Sequence, residues 1–286
     1  MKKKPLIGIV ISILARNHIR NIVRGALAQV NQAGCDCIVL APLCHFTQCE
    51  HEHSEAERSI YQMILSDAFD GFLYIKDDVT MGSEVIQEVE ELLLSSQKYV
   101  MTVDEREHPI FNSTQYDDYY DFGKVVRHLI EVHEYKKIYC LTGPQVLFQA
   151  QTRLKAYQDQ MTEHGLYFDE SYYSYGTFWV DSAINYAQKI ISEKLPRPEA
   201  IVCGNDVTAI ALIKTLMSAG IRVPEDIAVT GYDGYLFAAN IDVTLTTYNR
   251  NHYQLGADAM RRLYRNLTGT LCSQVHHPES GFIIGS

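Results

Sequence analysis

The sequence of 286 residues has no uninterrupted apolar stretch approaching the roughly 18 residues that a membrane-spanning helix requires. It also lacks an excess of positive charge, because 25 lysines and arginines face 35 aspartates and glutamates, a formal net charge of −10. An acidic surface repels phosphate backbones, so the chain is a poor candidate for binding DNA by itself. Its 47% of hydrophobic and 21% of charged residues are typical of an ordinary globular protein.

The marks of protein export are missing as well. The first apolar run, Leu6–Leu14, follows three lysines as in a signal peptide, but no small-residue cleavage site comes after it. Seven cysteines, an odd number at irregular spacing, favour reduced thiols over a disulfide framework. We therefore expect a cytoplasmic protein in which the first apolar run is a buried strand.

The sequence carries none of the common catalytic motifs. It contains no Gly-x-Ser-x-Gly elbow, no Gly-x-Gly-x-x-Gly loop and no Walker lysine loop. The His-Glu pairs that begin at residues 51 and 133 have no second histidine four residues later. The sequence thus gives no support for catalysis, and we expect no cofactor.

Cysteine and histidine are concentrated between residues 35 and 53, at Cys35, Cys37, Cys44, His45, Cys49, His51 and His53. This density suggests zinc, but the segment has no Cys-x-x-Cys pair, which tetrahedral zinc sites favour. A polar loop is therefore the preferred interpretation, a metal site is the alternative, and we predict no metal ligand.

Short apolar runs alternate with segments of helical periodicity along nearly the whole chain. The periodicity predicts strands at 5–14, 37–41, 71–75, 99–103, 137–142, 171–175, 200–203 and 227–231. It predicts helices at 19–33, 54–65, 83–95, 120–133, 149–163, 182–192, 207–219 and 251–266. Apolar strands separated by helices are typical of parallel sheets covered on both faces, so we expect an α/β protein with two doubly wound halves and a cleft between them.

Polar residues follow consecutive strands of the second half, where ligands of parallel sheets bind. Asn205 and Asp206 come after the strand at 200–203, and Asp233 comes after the strand at 227–231. We expect Asp206 to cap the following helix while the amide of Asn205 faces the cleft. The alternative for each residue taken singly is a helix cap or a turn residue. The carboxylate pairs Asp77-Asp78 and Asp117-Asp118 could also line the cleft, although solvated surface is their commoner environment.

The stretch at 200–234 resembles the effector-binding core of the lactose-repressor/galactose-repressor (LacI/GalR) family. The shared pattern is a hydrophobic strand, Asn-Asp, a helix, Gly, Val-Pro-x-Asp, a strand and Gly-Phe/Tyr-Asp. Further matches extend along almost the whole chain, at Ile7-Gly-Ile-Val, Gly25, Phe69-Asp-Gly, Tyr116-Asp-Asp with Gly123, Thr142-Gly-Pro with Arg153, Leu245-Thr-Thr and Leu255-Gly.

This resemblance implies a periplasmic-binding-protein-like fold of type I, with two Rossmann-like parallel-sheet subdomains joined by three crossovers. The implied N-terminal subdomain is 1–136 plus 250–272, and the implied C-terminal subdomain is 137–249 plus 273–286. Such a division explains the late helix, because the chain would return to the first half near Asn249 and leave it near Cys272.

The resemblance also implies the ligand-binding residues. Arg153 matches an arginine that clamps hydroxyls or a carboxylate, while Asn205 and Asp233 match groups that bind sugar hydroxyls. Phe178 or Trp179 matches an aromatic ring that stacks on the ligand, with core packing as the alternative. Further candidate ligand-binding residues are His18, which stands where the family usually has an aromatic residue, and Asp117. The polar, basic His18 makes a negatively charged ligand conceivable.

The function implied is ligand sensing for a transcriptional regulator, with a sugar-like effector bound between the lobes of a homodimer. Family repressors begin with about sixty residues of helix-turn-helix and hinge that bind DNA. Here the first strand begins near Leu6, so we expect contact with DNA only through a module absent from this chain. The alternatives are a solute-binding protein or a sensor module fused to another output domain, and an enzyme on the same architecture.

Overall fold

The computed structural model describes residues 4–43, 46, 51–104, 108–115, 117–235, 244–273 and 281–285. The strands are β1 (Leu6–Ile11), β2 (Asp36–Leu40), β3 (Gly71–Ile75), β4 (Tyr99–Asp104), β5 (Asn112–Gln115), β6 (Ile138–Leu141), β7 (Tyr173–Ser174), β8 (Ala200–Cys203), β9 (Ala228–Thr230), β10 (Thr247–Asn249) and β11 (Gly281–Ile283). The α-helices are α1 (Asn17–Ala33), α2 (His51–Arg58), α3 (Asp78–Ser95), α4 (Asp118–Glu131), α5 (Phe148–Glu163), α6 (Val180–Ile191), α7 (Asp206–Ser218) and α8 (His252–Thr268).

Two compact units divide the chain. The first unit comprises Met1–Tyr116 and Asn251–Pro278, and the second comprises Asp117–Arg250 and Glu279–Ser286. Each unit contains a parallel sheet with helices packed against it, so the predicted α/β class with two parallel-sheet subdomains is confirmed. Within the described ranges, no helix has both the length and the apolar character needed to cross a membrane.

The first unit has a five-stranded sheet in the order β2-β1-β3-β4-β5, and every pairing in it is parallel. One layer of its core joins β1 and β3 to α1 and α8. These two helices approach so closely that a Cβ on Gly25 would overlap the carbonyl of Tyr253, and one on Gly256 would overlap the carbonyl of Ile22. Glycine at both positions therefore allows the backbones to meet.

The second unit has a four-stranded parallel sheet in the order β7-β6-β8-β9 and a separate antiparallel pair, β10 and β11. Its strands β6 and β8 are fully buried. One core layer packs against α6 and α7, and the other packs against α4 and α5. This double cover explains why the strands read as continuous apolar runs.

The boundary between the units differs from the sequence-based expectation of residue 136. Helix α4 precedes that residue, yet it lies in the second unit. The buried side chains Phe122, Val126 and Leu129 of α4 pack with Ile138 of β6 and Leu154 of α5. Apolar packing of α4 therefore moves the boundary back to residues 116 and 117.

The sequence patterns missed the short polar strands and the irregularities of two helices. Strand β5 reads Asn-Ser-Thr-Gln and strand β10 reads Thr-Tyr-Asn, so neither is an apolar run. The helix predicted at 54–65 is α2 followed by a 3-10 helix at Ser59–Leu65. Helix α3 is broken at Gly82, whose φ of 74° lies in the left-handed region that favours glycine.

Candidate functional site

The carboxyl group of Asp118 is the centre of a buried polar network in the second unit. Asp118 stands in the first turn of α4 and is 3% exposed. Its Oδ2 accepts hydrogen bonds from Nε of Arg153 at 2.9 Å and from Nη2 of Arg153 at 2.7 Å. Its Oδ1 lies 2.7 Å from Nη2 of Arg250 and accepts a bond of 2.9 Å from the hydroxyl of Tyr232. One carboxylate thus organises two arginines and a tyrosine.

Arg153 connects this carboxylate to the edge of the sheet. Its side chain extends from α5, and its Nη1 donates a hydrogen bond of 2.8 Å to the carbonyl of Gly204, directly after β8. The ring of Phe178 lies 5.3 Å from the guanidinium carbon, and the ring of Tyr232 lies 4.9 Å from it. The planar guanidinium therefore uses both its hydrogen-bond donors and its flat faces.

Asp233 enters the network through Arg250, which follows β10. Nη1 of Arg250 donates to Oδ1 of Asp233 at 3.3 Å. Asp233 has a φ of 126° and Phe178 has a φ of 65°, both in the region that favours glycine. Backbone strain of this kind is concentrated at ligand-binding and catalytic sites.

The two carboxyl groups of the network have opposite electrostatic environments. Burial by itself would raise the pKa of Asp118, but Arg153 and Arg250 outweigh burial and lower that pKa to about 2. Burial raises the pKa of Asp233, and its arginine neighbours oppose that effect only in part. Asp118 is therefore the carboxyl group of the network whose ionised form the arginines favour.

Asn205 has both ends of its side-chain amide occupied within the second unit. Its Oδ1 accepts from the backbone N–H of Thr208 at 2.8 Å, and its Nδ2 donates to the carbonyl of Phe178 at 3.0 Å. Asn205 is thus the N-cap of α7 and also fixes the strained backbone at Phe178.

The expected division of roles between Asn205 and Asp206 is wrong. Asn205 is the capping residue, because its backbone is extended, whereas Asp206 already belongs to α7. The carboxylate of Asp206 is fully buried and accepts from the hydroxyl of Thr247 and the backbone N–H of Tyr235. Burial, reinforced by the nearby Asp233, raises the pKa of Asp206 to about 7.

The other predicted site residues lie outside this network. Trp179 is half-buried and precedes α6 as its N-cap residue. Asp117 is exposed and accepts from the backbone N–H of Tyr120 at 2.9 Å, so its carboxylate caps α4. His18 lies in the first turn of α1, in the first unit, with its ring 5.9 Å from that of His252. Their predicted roles in ligand binding, and a ligand bound between the halves, stay predictions.

A smaller polar cluster follows the strands of the first unit. Asp77, two residues after β3, accepts from Nη1 of Arg16 at 3.1 Å and from the hydroxyl of Thr80 at 2.9 Å. Asp77 is 6% exposed, so its expected surface solvation is wrong. The side chain of Asp78 lies outside the described residues.

The cysteine- and histidine-rich segment is described only in part. Cys35 and Cys37 are free thiols beside and within β2, and burial raises the pKa of both. Cys44, His45, Cys49 and the side chains of His51 and His53 lie outside the described residues. Among the residues that are described, no group of three or more histidine, cysteine or acidic side chains has an arrangement that would hold a metal ion.

Comparison with known proteins places the chain in a family. The model of the periplasmic binding protein-like domain matches residues 126–279, more than half of the chain. The chain belongs to this family. The matched region includes Arg153, Asn205, Asp233 and Arg250.

The relatives of this periplasmic binding protein-like domain are LacI-type regulators, as the sequence motifs predicted. The chain is 32% identical over 210 residues to the HTH-type transcriptional repressor PurR of Photobacterium profundum, covering 72% of this chain and 60% of that repressor. It therefore spans less than two thirds of the length of this relative. It is also 33% identical to the ribose operon repressor of Escherichia coli, over 46% of this chain and 40% of that repressor.

Solved structures share the fold of the domain. The lac repressor dimer bound to operator and an anti-inducer has a TM-score of 0.77 at 20% identity, with 99% of this chain and 94% of that chain covered. The complex of the regulator CelR with cellobiose has a TM-score of 0.76 at 20% identity, with 100% and 85% covered.

The predicted ligand-binding residues did not include Tyr232 or Arg250, and they included Asp117 rather than Asp118, although Asp118 was among the carboxylates that could line the cleft. The sequence pointed close to Asp118, since its neighbour Asp117 was a predicted site residue. In the structure Asp118 is buried and Asp117 is exposed. Tyr232 lies between Gly231 and Asp233 in the recognised motif. Arg250 had no signal, because it follows a polar strand of three residues.

Proposed function

We propose that this chain is the effector-binding part of a LacI-type transcriptional regulator and that it binds a sugar-like small molecule. The observation that carries the proposal is the buried network of Asp118, Arg153, Arg250 and Asp233 beyond the carboxyl ends of the second unit's strands. Ligands of parallel α/β sheets bind at this edge. Membership of the periplasmic binding protein-like family supports the same location.

The chemistry of the network favours a polyhydroxyl ligand. Arginine offers only donors and carboxylate only acceptors, whereas a sugar hydroxyl both donates and accepts. The side chains of Arg153 and Asp118 are 5% and 2% exposed, so a ligand contacts them only through the few atoms that face the edge. We therefore expect the network to select its ligand by the directions of its hydrogen bonds rather than by an excess of charge.

An aromatic side chain beside the network fits the apolar face of a sugar ring. Phe178 is 7% exposed and stacks on Arg153, so little of its ring is accessible to a ligand. The adjacent Trp179 is half-buried, and the sequence has only this one tryptophan. We assign the stacking role to Trp179.

The relatives supply the wider function. The solved structure of CelR is a complex with cellobiose, and the lac repressor structure is a dimer on its operator. Dimerisation of this chain, and contact with DNA through another part of the whole protein, belong to the same proposal. Such a protein signals only if its ligand favours one arrangement over another. The proposed role is regulatory, without turnover of the ligand.

A ligand screen with one substitution tests the proposal. A thermal-shift screen of sugars, sugar phosphates, nucleobases and amino acids identifies ligands, because binding to the native state raises the melting temperature. Tryptophan fluorescence then follows the titration, and we expect the signal of Trp179 to change on saturation.

The variant Arg153→Lys tests whether the guanidinium binds the ligand, because lysine keeps the positive charge and lacks the planar fork of donors. Calorimetry of this variant is expected to show binding weaker by about 2 kcal/mol or more. Arg222→Lys is the control, since Arg222 is an exposed arginine paired with Asp226 in the same unit. Equal affinities of the wild type and Arg153→Lys would contradict the assignment, and turnover of the bound compound would favour an enzyme.

A further inference from the structure

Two histidines face each other at the end of α4, away from the network that begins the same helix. His128 lies in the last turn of α4, and His133 follows the helix by two residues. Their Nε2 atoms are 3.2 Å apart, and their rings are nearly perpendicular at 84°. Two ring nitrogens thus lie within hydrogen-bonding distance of each other, and one of them donates while the other accepts.

Both imidazole rings are held by neighbouring aromatic side chains. The ring of Tyr135 stacks on His133 with a centroid distance of 5.6 Å, and the ring of Phe282 lies 4.9 Å from His128. The backbone between the histidines is also fixed, since the N–H of Tyr135 donates to the carbonyl of Leu129 at 3.2 Å. The pair is therefore oriented in advance rather than assembled by chance.

The separation of the two nitrogens fits a shared metal ion. Zinc binds imidazole nitrogen at about 2.0 to 2.1 Å, so two nitrogens at a tetrahedral angle lie about 3.3 Å apart.

We propose that His128 and His133 form a two-histidine site for a late first-row divalent metal ion such as Zn²⁺. Each Nε2 gives its lone pair to the ion, and the ring that now carries hydrogen on Nε2 binds as the Nδ1–H tautomer. Water fills the remaining positions, because no group of three or more histidine, cysteine or acidic residues in the described parts of the chain is arranged to hold a metal. The site joins the end of α4 to the loop after it.

Zinc titration of the full chain tests this site. After chelator treatment, the protein is titrated with zinc sulfate in competition with a chromophoric zinc indicator. The wild type is expected to bind zinc at least tenfold more tightly than either His128→Ala or His133→Ala. The double variant is expected to bind zinc more weakly than either single variant, because each single variant keeps one imidazole ligand.

The controls separate this pair from the other histidines of the chain. His164→Ala removes a histidine of the same unit that bonds to Glu131, and the double substitution of His276 and His277 removes an adjacent pair outside the described residues. Both controls should keep the wild-type affinity. The proposal is overturned if His128→Ala and His133→Ala each bind zinc within twofold of the wild type, or if only the 276–277 variant loses zinc.

Copper supplies a readout that a general loss of stability would not imitate. The electron paramagnetic resonance spectrum with one equivalent of Cu²⁺ should show two coordinated imidazole nitrogens in the wild type. His133→Ala should show one, and since His133 is exposed, this substitution leaves the core untouched. A spectrum identical in the wild type and in His133→Ala would contradict the site.

Discussion

The two units share a parallel-sheet plan, but they place different polar groups after their strands. In the first unit, Asp77 pairs with Arg16, whose side chain is 16% exposed. In the second, Asp118 pairs with Arg153 and Arg250, whose side chains are only 5% and 6% exposed. Burial makes each charge depend on its partner, because water cannot replace a partner that is removed. The second unit therefore has a charged edge that is fixed before any ligand binds.

The closest packing of the first unit is between two of its helices, α1 and α8, and does not involve charged side chains. Gly25 of α1 and Gly256 of α8 let two backbones touch, and most of the buried side chains of these two helices are apolar. The contrast shows that the second unit has the more deeply buried charged network of the two.

The largest expected effect comes from removing the central carboxylate. Asp118→Ala leaves two buried arginines without their shared anion, and we expect it to destabilise the second unit by about 3 to 5 kcal/mol. Asp77→Ala is the matched variant in the first unit, where the partly exposed Arg16 regains water, and we expect about 1 to 2 kcal/mol.

Hydrogen exchange in increasing denaturant measures both effects, since peptides from β8 and β1 report the two units separately. Asp118→Ala should lose protection in β8, and Asp77→Ala should lose less in β1. The comparison fails if the two substitutions cost the same free energy of unfolding.

A further effect concerns pH, and it has opposite signs at two carboxyl groups of the second unit. The pKa of Asp206 is about 7 when folded, against a reference value of 3.8, so the folded chain keeps a proton that the unfolded chain releases. Stability contributed by Asp206 is thus lost as the pH rises from about 4 to 7, with a slope of at most about 1.4 kcal/mol per pH unit. The low pKa of Asp118 stabilises above about pH 4, and that contribution is lost as the pH falls toward 2.

Asp206→Asn separates these contributions, because asparagine keeps the shape and stays neutral throughout. Urea unfolding of this variant between pH 4 and 7 should show a shallower loss of stability with rising pH than the wild type. Asp226→Asn is the control, since Asp226 is half-buried on the same unit and has a pKa of about 2, below this window. An unchanged slope in Asp206→Asn would show that the buried carboxyl group does not control this pH dependence.

The sequence was sufficient for the fold wherever burial imposed an apolar pattern. The predicted ranges of β3 and β8 match the structure, because both strands are covered on each face. Strand β5 was missed because its four residues are polar. The boundary near residue 136 was wrong because a helical period shows which face of α4 is apolar, but not which sheet that face meets.

For the site, the motifs located the carboxyl ends of β8 and β9 but not the contacts made there. Asn205 and Asp206 are adjacent, and only their backbone angles decide which of them caps α7. Arg250 joins Asp118 and Asp233 across large separations in the chain, and a single sequence carries no signal for such pairs. Residue types and spacing thus indicate where a site lies, and the fold decides which charges pair.

The central claim is that a small polar ligand binds at the charged edge of the second unit. Hydrogen exchange with and without a ligand from the screen tests this most directly, because amide protection is read peptide by peptide. We expect protection at residues 204–206 and 232–235, which follow β8 and β9. Saturating ligand that protects neither segment would contradict the claim.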